Sequence, residues 1–317
     1  MSPRSKVVPL MNSRKNASHA GLLLSRYLKE PVGTKDFPDE CMALFGYARA
    51  ANRNTYDLYQ KAFTRWENSL TSTHEWPVSK HACLKTTARV IVGLGDESVL
   101  ETGLRLHHTY GTPLIPGSSL KGLAAHYCDR VLGQHDLAGE SALQPVHYKW
   151  QRLWPTDPRD QKTGKPVREE LGQYHRTLFG THEDAGRIIF HDAWICPGSL
   201  NQPANAGGLL PDVMTPHHMG YYGAADGDEN AAPTDFDDPN PVHYLSVAGD
   251  FFVVVSCDVP GKPGDQLADL ALSLLQEALA AWGVGGKTSS GYGRLIDKKA
   301  KDTQDALEQL ASSSGTG

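Results

Sequence analysis

The segment from residue 251 to residue 296 constrains the fold most strongly, because short apolar stretches flank one long amphipathic pattern. Residues 251–255 are aromatic or β-branched without interruption, which is typical of a strand buried on both faces. Between residues 267 and 282 the apolar side chains recur at steps of three and four, so we expect a helix that ends at Gly283. Residues 295–296 begin a final strand. This order predicts helices packed on a sheet.

A glycine-rich loop, residues 283–294, connects that helix to the last strand. It does not match a P-loop, because position 281 is Ala and the loop follows a helix. It does not match the dinucleotide pattern either, since Thr288 stands in place of the third glycine. A loop with glycines, cations, hydroxyls and an aromatic ring can run along a nucleic-acid backbone and contact its phosphates and bases. The alternative is a flexible turn, which would need fewer glycines. The predicted nucleic-acid contacts are Gly285, Gly286, Lys287, Thr288, Ser289, Ser290, Tyr292 and Arg294.

A second candidate site precedes another predicted helix. Residues 116–117, Pro-Gly, favour a turn, and apolar residues at helical spacing follow from 120 to 131. Ser118 or Ser119 is expected to cap this helix, and Lys121 adds a cation near its first amides. We expect an anion to be held there, although an ordinary capped helix start is the alternative.

The long stretch 197–241 is rich in Gly, Pro, Asn and Asp, which indicates a functional or disordered loop. His217, His218, Tyr221 and Tyr222 form an imidazole and aromatic cluster within it, and such rings can stack on nucleic-acid bases. The acidic residues that follow lack the spacing of a calcium loop, and the two histidines lack further zinc ligands. The acidic part is therefore interpreted as a solvated loop.

Further elements follow from local patterns. A helix with an aromatic face is expected to pack in the core, with a base-stacking platform as the alternative. The stretch rich in Pro, Asp, Lys and Gly near residues 155–175 is interpreted as an insertion. The expected elements are that helix over 53–70, strands over 88–94, before Gly111 and over 187–195, and a hairpin of 242–247 with 250–258.

Composition restricts the class of protein. The chain has 317 residues, a formal net charge of -5 and 39% hydrophobic residues, which fits a globular protein with room for a sizeable core. No apolar run approaches the length of a membrane span, and the N-terminus is not expected to be a signal peptide. Five scattered cysteines argue against a disulfide framework or a cysteine zinc site, so a reducing cytoplasm is the expected setting. Residues 1–35 carry seven basic residues and one acidic residue.

These elements, without their insertions, predict an α+β fold of the RRM-like or ferredoxin-like type with long loop and helical insertions. Residues 1–80 are expected to form a basic arm and a helical segment. Residues 81–300 are expected to form the RRM-like domain, with insertions near 155–175 and 197–241. Residues 301–317 are expected to be a flexible tail.

Several motifs together resemble the RAMP superfamily of CRISPR RNA-binding proteins. They are Ile-Pro-Gly-Ser-Ser-Leu-Lys-Gly at 115–122, Leu-Phe-Gly at 178–180 and the glycine-rich stretch 285–294, and the likeness extends over nearly the whole chain from about Asn16. Within the superfamily, residues 93–95 and 101–107 and the cluster at 216–222 resemble the sixth, head-end backbone subunits of type III-B Cmr effector complexes.

That resemblance implies a non-catalytic structural subunit in antiviral defence. Such a subunit would bind guide RNA and complementary target RNA near the guide 3′ end and would cap the backbone filament. Its implied partners are other effector subunits, above all the repeated backbone subunit and the first Cmr subunit. No catalytic residue, metal, cofactor or membrane is implied.

The alternative is a RAMP endoribonuclease that processes guide precursors or cuts target RNA. Superfamily members that cut RNA carry an Asp before the Ile-Pro-Gly segment, and here the nearest equivalent is Glu101, with Asp96 and Glu97 earlier. Cleavage by a ribose 2′-OH would instead require a general acid or base. The candidates for that role are His107, His108, His126 and His191.

Overall fold

The computed structural model describes Arg14 and residues 16–72, 75–133, 149–152, 172–201, 208–218, 237 and 239–299. Tertiary contacts divide the chain into two units, each assembled from three stretches. Unit 1 comprises Met1–Tyr56, Ile91–Pro113 and Leu200–Ala248, and unit 2 comprises Asp57–Val90, Leu114–Ser199 and Gly249–Gly317. Within the described ranges, no helix has the length and apolar character needed to cross a membrane.

The secondary structure follows this order along the chain. The helices are α1 (Ala20–Arg26), α2 (Phe37–Asn54), α3 (Tyr56–Thr71), α4 (Gly117–Tyr127), α5 (Gln173–Phe179), α6 (Pro197–Leu200) and α7 (Gly261–Ala281). A π-helical turn, Cys128–Leu132, follows α4, and a 3₁₀ turn, Thr288–Ser290, follows α7. The strands are β1 (Val78–Thr86), β2 (Leu114–Ile115), β3 (Ile188–Phe190), β4 (Ala193–Ile195), β5 (Leu209–Met214), β6 (Val242–Val247), β7 (Asp250–Cys257) and β8 (Leu295–Asp297).

Unit 2 is built on a six-stranded antiparallel sheet in the order β2-β4-β7-β1-β8, with β3 also paired to β7. Strand β7 is buried at every position and is paired along both edges. Helix α4 lies in the chain between β1 and β3, and α7 connects β7 to β8. Two strand-helix-strand units therefore interleave in the ferredoxin-like manner, which confirms the predicted α+β fold.

Helices α4 and α7 pack against each other, and α7 also packs on β1, β7 and β8. The predicted helix over 267–282 is confirmed, although it begins earlier, at Gly261. Its buried residues are Gly264, Ala268, Ala271, Leu274, Leu275, Ala278 and Leu279, which form one stripe along the helix. The apolar spacing seen in the sequence is thus the spacing of the face that covers the sheet.

Helix α3 supplies an aromatic layer to the same unit. The Trp66 and Trp194 rings are parallel within 3° and 4.6 Å apart, and the Phe63 ring meets Phe252 edge-on at 5.9 Å. The Tyr59 hydroxyl donates a 2.7 Å hydrogen bond to the carbonyl of Ile195. Successive side chains of a strand point to opposite faces, so the contacts to Phe252 occupy one face of β7. The prediction that the aromatic residues of this helix belong to the core is confirmed.

Unit 1 joins α1, α2 and a two-stranded sheet of β5 and β6. Helix α2 packs on α1 and on both strands, with Leu44 and Phe45 among its buried residues. The guanidinium of Arg14 lies 2.6 Å from the carboxylate of Glu40, and both side chains are nearly buried. The same guanidinium stacks over the Tyr47 ring.

The predicted hairpin of 242–247 with 250–258 is wrong. Strand β6 pairs with β5, whereas β7 pairs with β1, β3 and β4 in the other sheet. Between the two strands, the Gly249 N–H donates to the Thr86 hydroxyl, and the Thr86 N–H donates to the carbonyl of Gly249. The chain thus turns from one sheet into the other at Gly249 instead of folding back on itself.

Three other strand predictions need correction. The strand expected over 88–94 is wrong, because these residues form only isolated bridge positions at 90 and 91, whereas the strand of this region, β1, ends at Thr86. The strand expected before Gly111 does not form in the described residues there, where Leu106 makes only an isolated bridge with Pro113. The strand expected over 187–195 is broken at residues 191–192 into β3 and β4. The stretch 197–241 contains α6 and β5, which the composition did not indicate, whereas 153–171 lies outside the described residues.

Two glycines of helix α4 give a matched test of packing. A Cβ on Gly117 would come 2.1 Å from the carbonyl oxygen of Phe190, whereas a Cβ on Gly122 would have no atom within 4 Å. Gly117→Ala should lower the free energy of unfolding by about 2–3 kcal/mol through overpacking. Gly122→Ala should raise it by about 0.5–1 kcal/mol through reduced chain entropy. Urea unfolding of both variants measures this, and equal effects would contradict the packing of α4 on β3.

Candidate nucleic-acid interface

The glycine-rich loop has a closely packed stem. The Val284 N–H donates to the carbonyl of Gly293 at 2.9 Å, and the Gly293 N–H donates to the carbonyl of Arg89 at 2.7 Å. A Cβ on Gly293 would lie 2.2 Å from the Val284 carbonyl oxygen, and both Gly283 and Gly293 have positive φ. These two glycines are therefore required by backbone packing and not by a ligand.

The tip of the loop is shaped differently. Lys287 has φ 58°, a left-handed conformation that costs a non-glycine residue about 1–2 kcal/mol, and it precedes the 3₁₀ turn. The N–H groups of Ser290 and Tyr292 donate to the Lys287 carbonyl, which holds this conformation in place. Ser289 and Ser290 are exposed. A Cβ on Gly291 would meet no atom within 4 Å, so the backbone at this position faces open space.

The electrostatic character of the loop is positive. Lys287 and Arg294 are its charged residues, and no acidic residue occurs between positions 283 and 296. Arg294 is exposed, and its carbonyl accepts hydrogen bonds from the N–H and the hydroxyl of Thr87. Because the Gly293 N–H donates to the carbonyl of Arg89, the backbone of segment 87–89 runs beside the loop. The sequence pattern had assigned Arg89 to a strand, so this backbone contact was not predicted.

The start of helix α4 differs from the predicted capped start in its hydrogen bonds. Pro116 is the N-cap, and no side chain caps the helix, so the expected capping by Ser118 or Ser119 is wrong. The Gly117 N–H donates a 2.7 Å hydrogen bond to a carboxylate oxygen of Asp192. A carboxylate of the chain itself therefore accepts the hydrogen bond from the first N–H of the helix. Ser118 is exposed, and Lys121 is half-buried.

The two predicted RNA-binding segments of unit 2 lie apart. The rings of His126 and Tyr127, in the last turn of α4, pack edge-on against Trp282, directly before the glycine-rich loop. Ser118 lies in the first turn of the same helix, whose length is about 16 Å. Helix α4 thus separates the Ser118 segment from the contact that leads into the loop.

The histidine cluster belongs to unit 1, in the connection between β5 and β6. The Nδ1 of His218 is 2.7 Å from a carboxylate oxygen of Asp237, and the His217 ring centroid lies 6.0 Å from that of His218. His218 also has φ 63°, so its backbone conformation is unusual for a side-chain-bearing residue. Asp237 was interpreted as part of a solvated acidic loop but pairs with His218. Tyr221 and Tyr222 lie outside the described residues.

The histidines of the endoribonuclease alternative are dispersed over different elements. Nδ1 of His107 accepts from the N–H of Thr109, and Nε2 of His191 shares a 2.9 Å hydrogen bond with the Ser256 hydroxyl. His126 packs on Trp282, and the carbonyl of His108 bonds to His19.

The acidic candidates of that alternative differ in their surroundings. Asp96 forms an ion pair with Arg105, and Glu101 has φ 65°. In the part of the chain that the structure describes, no group of three or more His, Cys, Asp or Glu side chains could hold a metal ion.

A buried ionisable pair lies close to Lys121. Burial lowers the pKa of His175, the nearby Asp129 opposes this, and the charges of Arg152 and Lys121 lower it further. His175 is 4% exposed and Asp129 is 2% exposed. A carboxylate oxygen of Asp129 accepts a 2.6 Å hydrogen bond from the Arg152 N–H. His175 is therefore a neutral imidazole at neutral pH.

Comparison with known proteins gives the class of the chain. The model of the RAMP superfamily matches residues 83–296, which is more than half of the sequence. The chain therefore belongs to the RAMP superfamily, as the motifs predicted.

Within that superfamily the chain is a homologue of Cmr6. It is 32% identical to the CRISPR system Cmr subunit Cmr6 of Pyrococcus furiosus in an alignment of 266 residues that covers 77% of this chain and 74% of the relative. The crystal structure of Cmr6 from Pyrococcus furiosus matches with 30% identity, 69% of this chain, 97% of that chain and a TM-score of 0.40. A chain in the cryo-EM structure of the type III-B Cmr-β complex bound to cognate target RNA has the same fold. It matches with 16% identity, 93% of this chain, 89% of that chain and a TM-score of 0.52.

The lowered pKa of His175 predicts how stability depends on pH. The unfolded chain takes up the proton near the ordinary value of 6.5, and the folded chain does so only at lower pH. The stability that the neutral His175 contributes is therefore fully present above pH 6.5 and is lost as the pH decreases from 6.5 towards the folded pKa. Burial lowers the pKa of His191 as well, so both groups contribute in the same direction.

Urea unfolding at pH 8.0, 6.5 and 5.5 measures this dependence. The variant His175→Gln should lose part of the decrease below pH 6.5, and His191 should account for a remaining part. The exposed His182 gives the control, because His182→Gln should keep the wild-type profile. An unchanged profile in His175→Gln would show that His175 is not buried as a neutral group.

Proposed function

We propose that the chain is a non-catalytic RNA-binding subunit of a type III-B CRISPR effector complex and acts in antiviral defence. It binds guide RNA, and the complementary target RNA paired with it, near the guide 3′ end, where it caps the backbone filament. The observation that carries this proposal is the glycine-rich loop, whose stem is closely packed and whose tip carries positive charge, hydroxyls and open space at Gly291.

The loop has the chemistry that an RNA backbone requires. Phosphates are attracted by Lys287 and Arg294 and are not repelled by any acidic residue within the loop. Hydroxyl groups and backbone N–H groups can donate to phosphate oxygens, and Tyr292 offers a ring for stacking on a base. Because such contacts read the backbone and not the base edges, they suit a protein that must accept guides of any sequence.

The sheet of unit 2 is not proposed as the RNA surface. RRM domains stack bases on aromatic residues of their open sheet face. Here Phe252 on the central strand is covered by Phe63 and Trp66 of helix α3. The proposal therefore assigns RNA contacts to loops at the edges of the domain, and Ser118, Ser119, Lys121, His217, His218, Tyr221 and Tyr222 remain secondary candidates.

The proposed partners follow from the relatives. The Pyrococcus furiosus relative is a Cmr subunit, and the structural neighbour belongs to a Cmr complex bound to target RNA. By the same assignment this chain abuts the repeated backbone subunit and the first Cmr subunit. A net charge of -5 is compatible with this role, because one positive loop contacts RNA and other surfaces contact protein.

The variant Lys287→Ala/Arg294→Ala tests the RNA contact. Removal of two phosphate contacts should weaken binding of a guide-length RNA by about tenfold and should reduce the slope of log K against log salt by about 1.4. Fluorescence anisotropy of the full chain with labelled RNA at several salt concentrations measures both quantities.

The control variant is Lys61→Ala/Lys262→Ala, which removes the same charge from exposed positions on α3 and at the start of α7. Residue 262 is separated from the loop by the length of α7, about 31 Å. This control should bind RNA as the wild type does. Equal weakening in both variants, or no change in the loop variant, would contradict the assignment of the loop.

The non-catalytic role is tested with a longer RNA that contains the repeat. Wild-type chain incubated with labelled repeat-spacer RNA, with and without Mg²⁺, should leave the RNA at full length while it shifts the RNA on a native gel. Discrete products that disappear in Glu101→Gln or in a single histidine variant would make the chain an endoribonuclease.

A further inference from the structure

A patch of aromatic and basic side chains lies on unit 2 beside the end of helix α4. The rings of Trp150 and Tyr174 meet at a centroid distance of 4.6 Å and an angle of 45°. The ammonium of Lys149 lies 5.9 Å from the centre of the Tyr174 ring. Tyr174 is a large hydrophobic side chain that is 36% exposed. We call these three residues, together with Lys121 and Arg152, the ring-cation patch.

The segment 149–152, which carries half of the patch, is held by the π-helical turn that follows α4. The Cys128 thiol donates to the carbonyl of Trp150 at 3.5 Å. The Arg152 N–H donates to a carboxylate oxygen of Asp129 at 2.6 Å. Because the backbone of this segment is already fixed, little conformational freedom is lost when a ligand meets its side chains.

The electrostatic character of the patch comes from its three basic residues. The charges of Lys121 and Arg152 both act on the buried His175, which follows Tyr174 in α5, so these cations lie close to the aromatic pair. The carboxylate of Asp129 acts on His175 as well, but Asp129 is 2% exposed and already accepts the Arg152 N–H. An anionic ligand therefore meets the cations at the surface, whereas the carboxylate is buried.

Rings beside cations match the chemistry of an unpaired nucleic-acid strand. Each unpaired base has a flat face that can stack on an aromatic ring, and its phosphate is attracted by neighbouring Lys or Arg side chains. Within a duplex, those faces are covered by the neighbouring bases. The combination therefore favours a single strand over a duplex.

We propose that the ring-cation patch is a second binding site for single-stranded RNA on this chain. An unpaired base stacks on the Tyr174 ring, while the three basic residues attract the adjacent phosphates. The proposal rests on the RNA binding proposed above, and it adds a surface of unit 2 that lies outside the glycine-rich loop.

The position of the patch supports a shared RNA path. Tyr127, in the last turn of α4, packs edge-on against Trp282, directly before the glycine-rich loop. The next residue, Cys128, holds the segment 149–152. The loop and the patch are therefore attached to the same end of α4, which allows one strand to contact both.

Two variants of Tyr174 separate stacking from structural support. Tyr174→Leu removes the ring but keeps an apolar side chain, and it should weaken binding of a labelled single-stranded RNA by at least about fivefold. Tyr174→Phe keeps the ring and should bind as the wild type does. Neither variant removes a charge, so the slope of log K against log salt should stay unchanged. Fluorescence anisotropy of the full chain at several salt concentrations measures both quantities.

An RNA of the same length with abasic spacers throughout is the matched probe. It keeps the phosphates but offers no base for stacking, so the wild type and Tyr174→Leu should bind it equally. Equal binding of the ordinary RNA by both chains would overturn the proposal. So would an equal loss with the abasic RNA, because Tyr174 would then only support the fold.

The same titrations keep this site apart from the loop. Weakening in Lys287→Ala/Arg294→Ala without weakening in Tyr174→Leu would overturn the patch and leave the loop assigned. Weakening in Tyr174→Leu alone would support the patch and contradict the loop. If the wild type bound none of the single-stranded RNA, both sites would be refuted.

Discussion

The pairing of β7 on both edges is the constraint on which the larger unit depends. Its eight residues are all buried, β1 lies along one edge, and β3 and β4 share the other. Successive side chains of a strand point to opposite faces. This register therefore directs Phe252 towards α3 and directs the residues next to Phe252 towards the helices on the opposite face. The register also aligns β1 so that its end at Thr86 leads into the segment beside the glycine-rich loop.

The fold was predictable where local sequence carries the periodicity of the structure. The run 251–255 and the helix before Gly283 are apolar because they are buried, so their assignment required no knowledge of distant contacts. Strand β1 was not predicted, because half of its residues are polar and its burial depends on β7 and β8. The hairpin error at Gly249 has the same origin, since β6 pairs with β5, which lies far upstream in the sequence, and not with the neighbouring β7.

In the candidate site, too, residues that are adjacent in the sequence were predicted, whereas contacts between distant residues were not. Lys287 and Arg294 were found because glycines, cations and hydroxyls of the loop are adjacent in the sequence. Arg89 was missed, because its place beside the loop results from a backbone hydrogen bond to Gly293. The carboxylate of Asp192 at the start of α4 was also unpredictable, since 75 residues separate it from Gly117. Sequence motifs thus identify groups that could bind RNA, while long-range contacts decide which of them are already occupied.

The central claim is that RNA meets this chain at the glycine-rich loop and not at the aromatic face of the sheet. The most direct measurement is ultraviolet crosslinking of the chain, assembled with its effector complex on a guide RNA of defined sequence, followed by peptide mass spectrometry. The account predicts crosslinks within residues 285–294, with Tyr292 as the preferred position. Crosslinks confined to Trp66, Trp194 or Phe252 would contradict it, because those rings would then have to leave their contacts with one another to bind RNA.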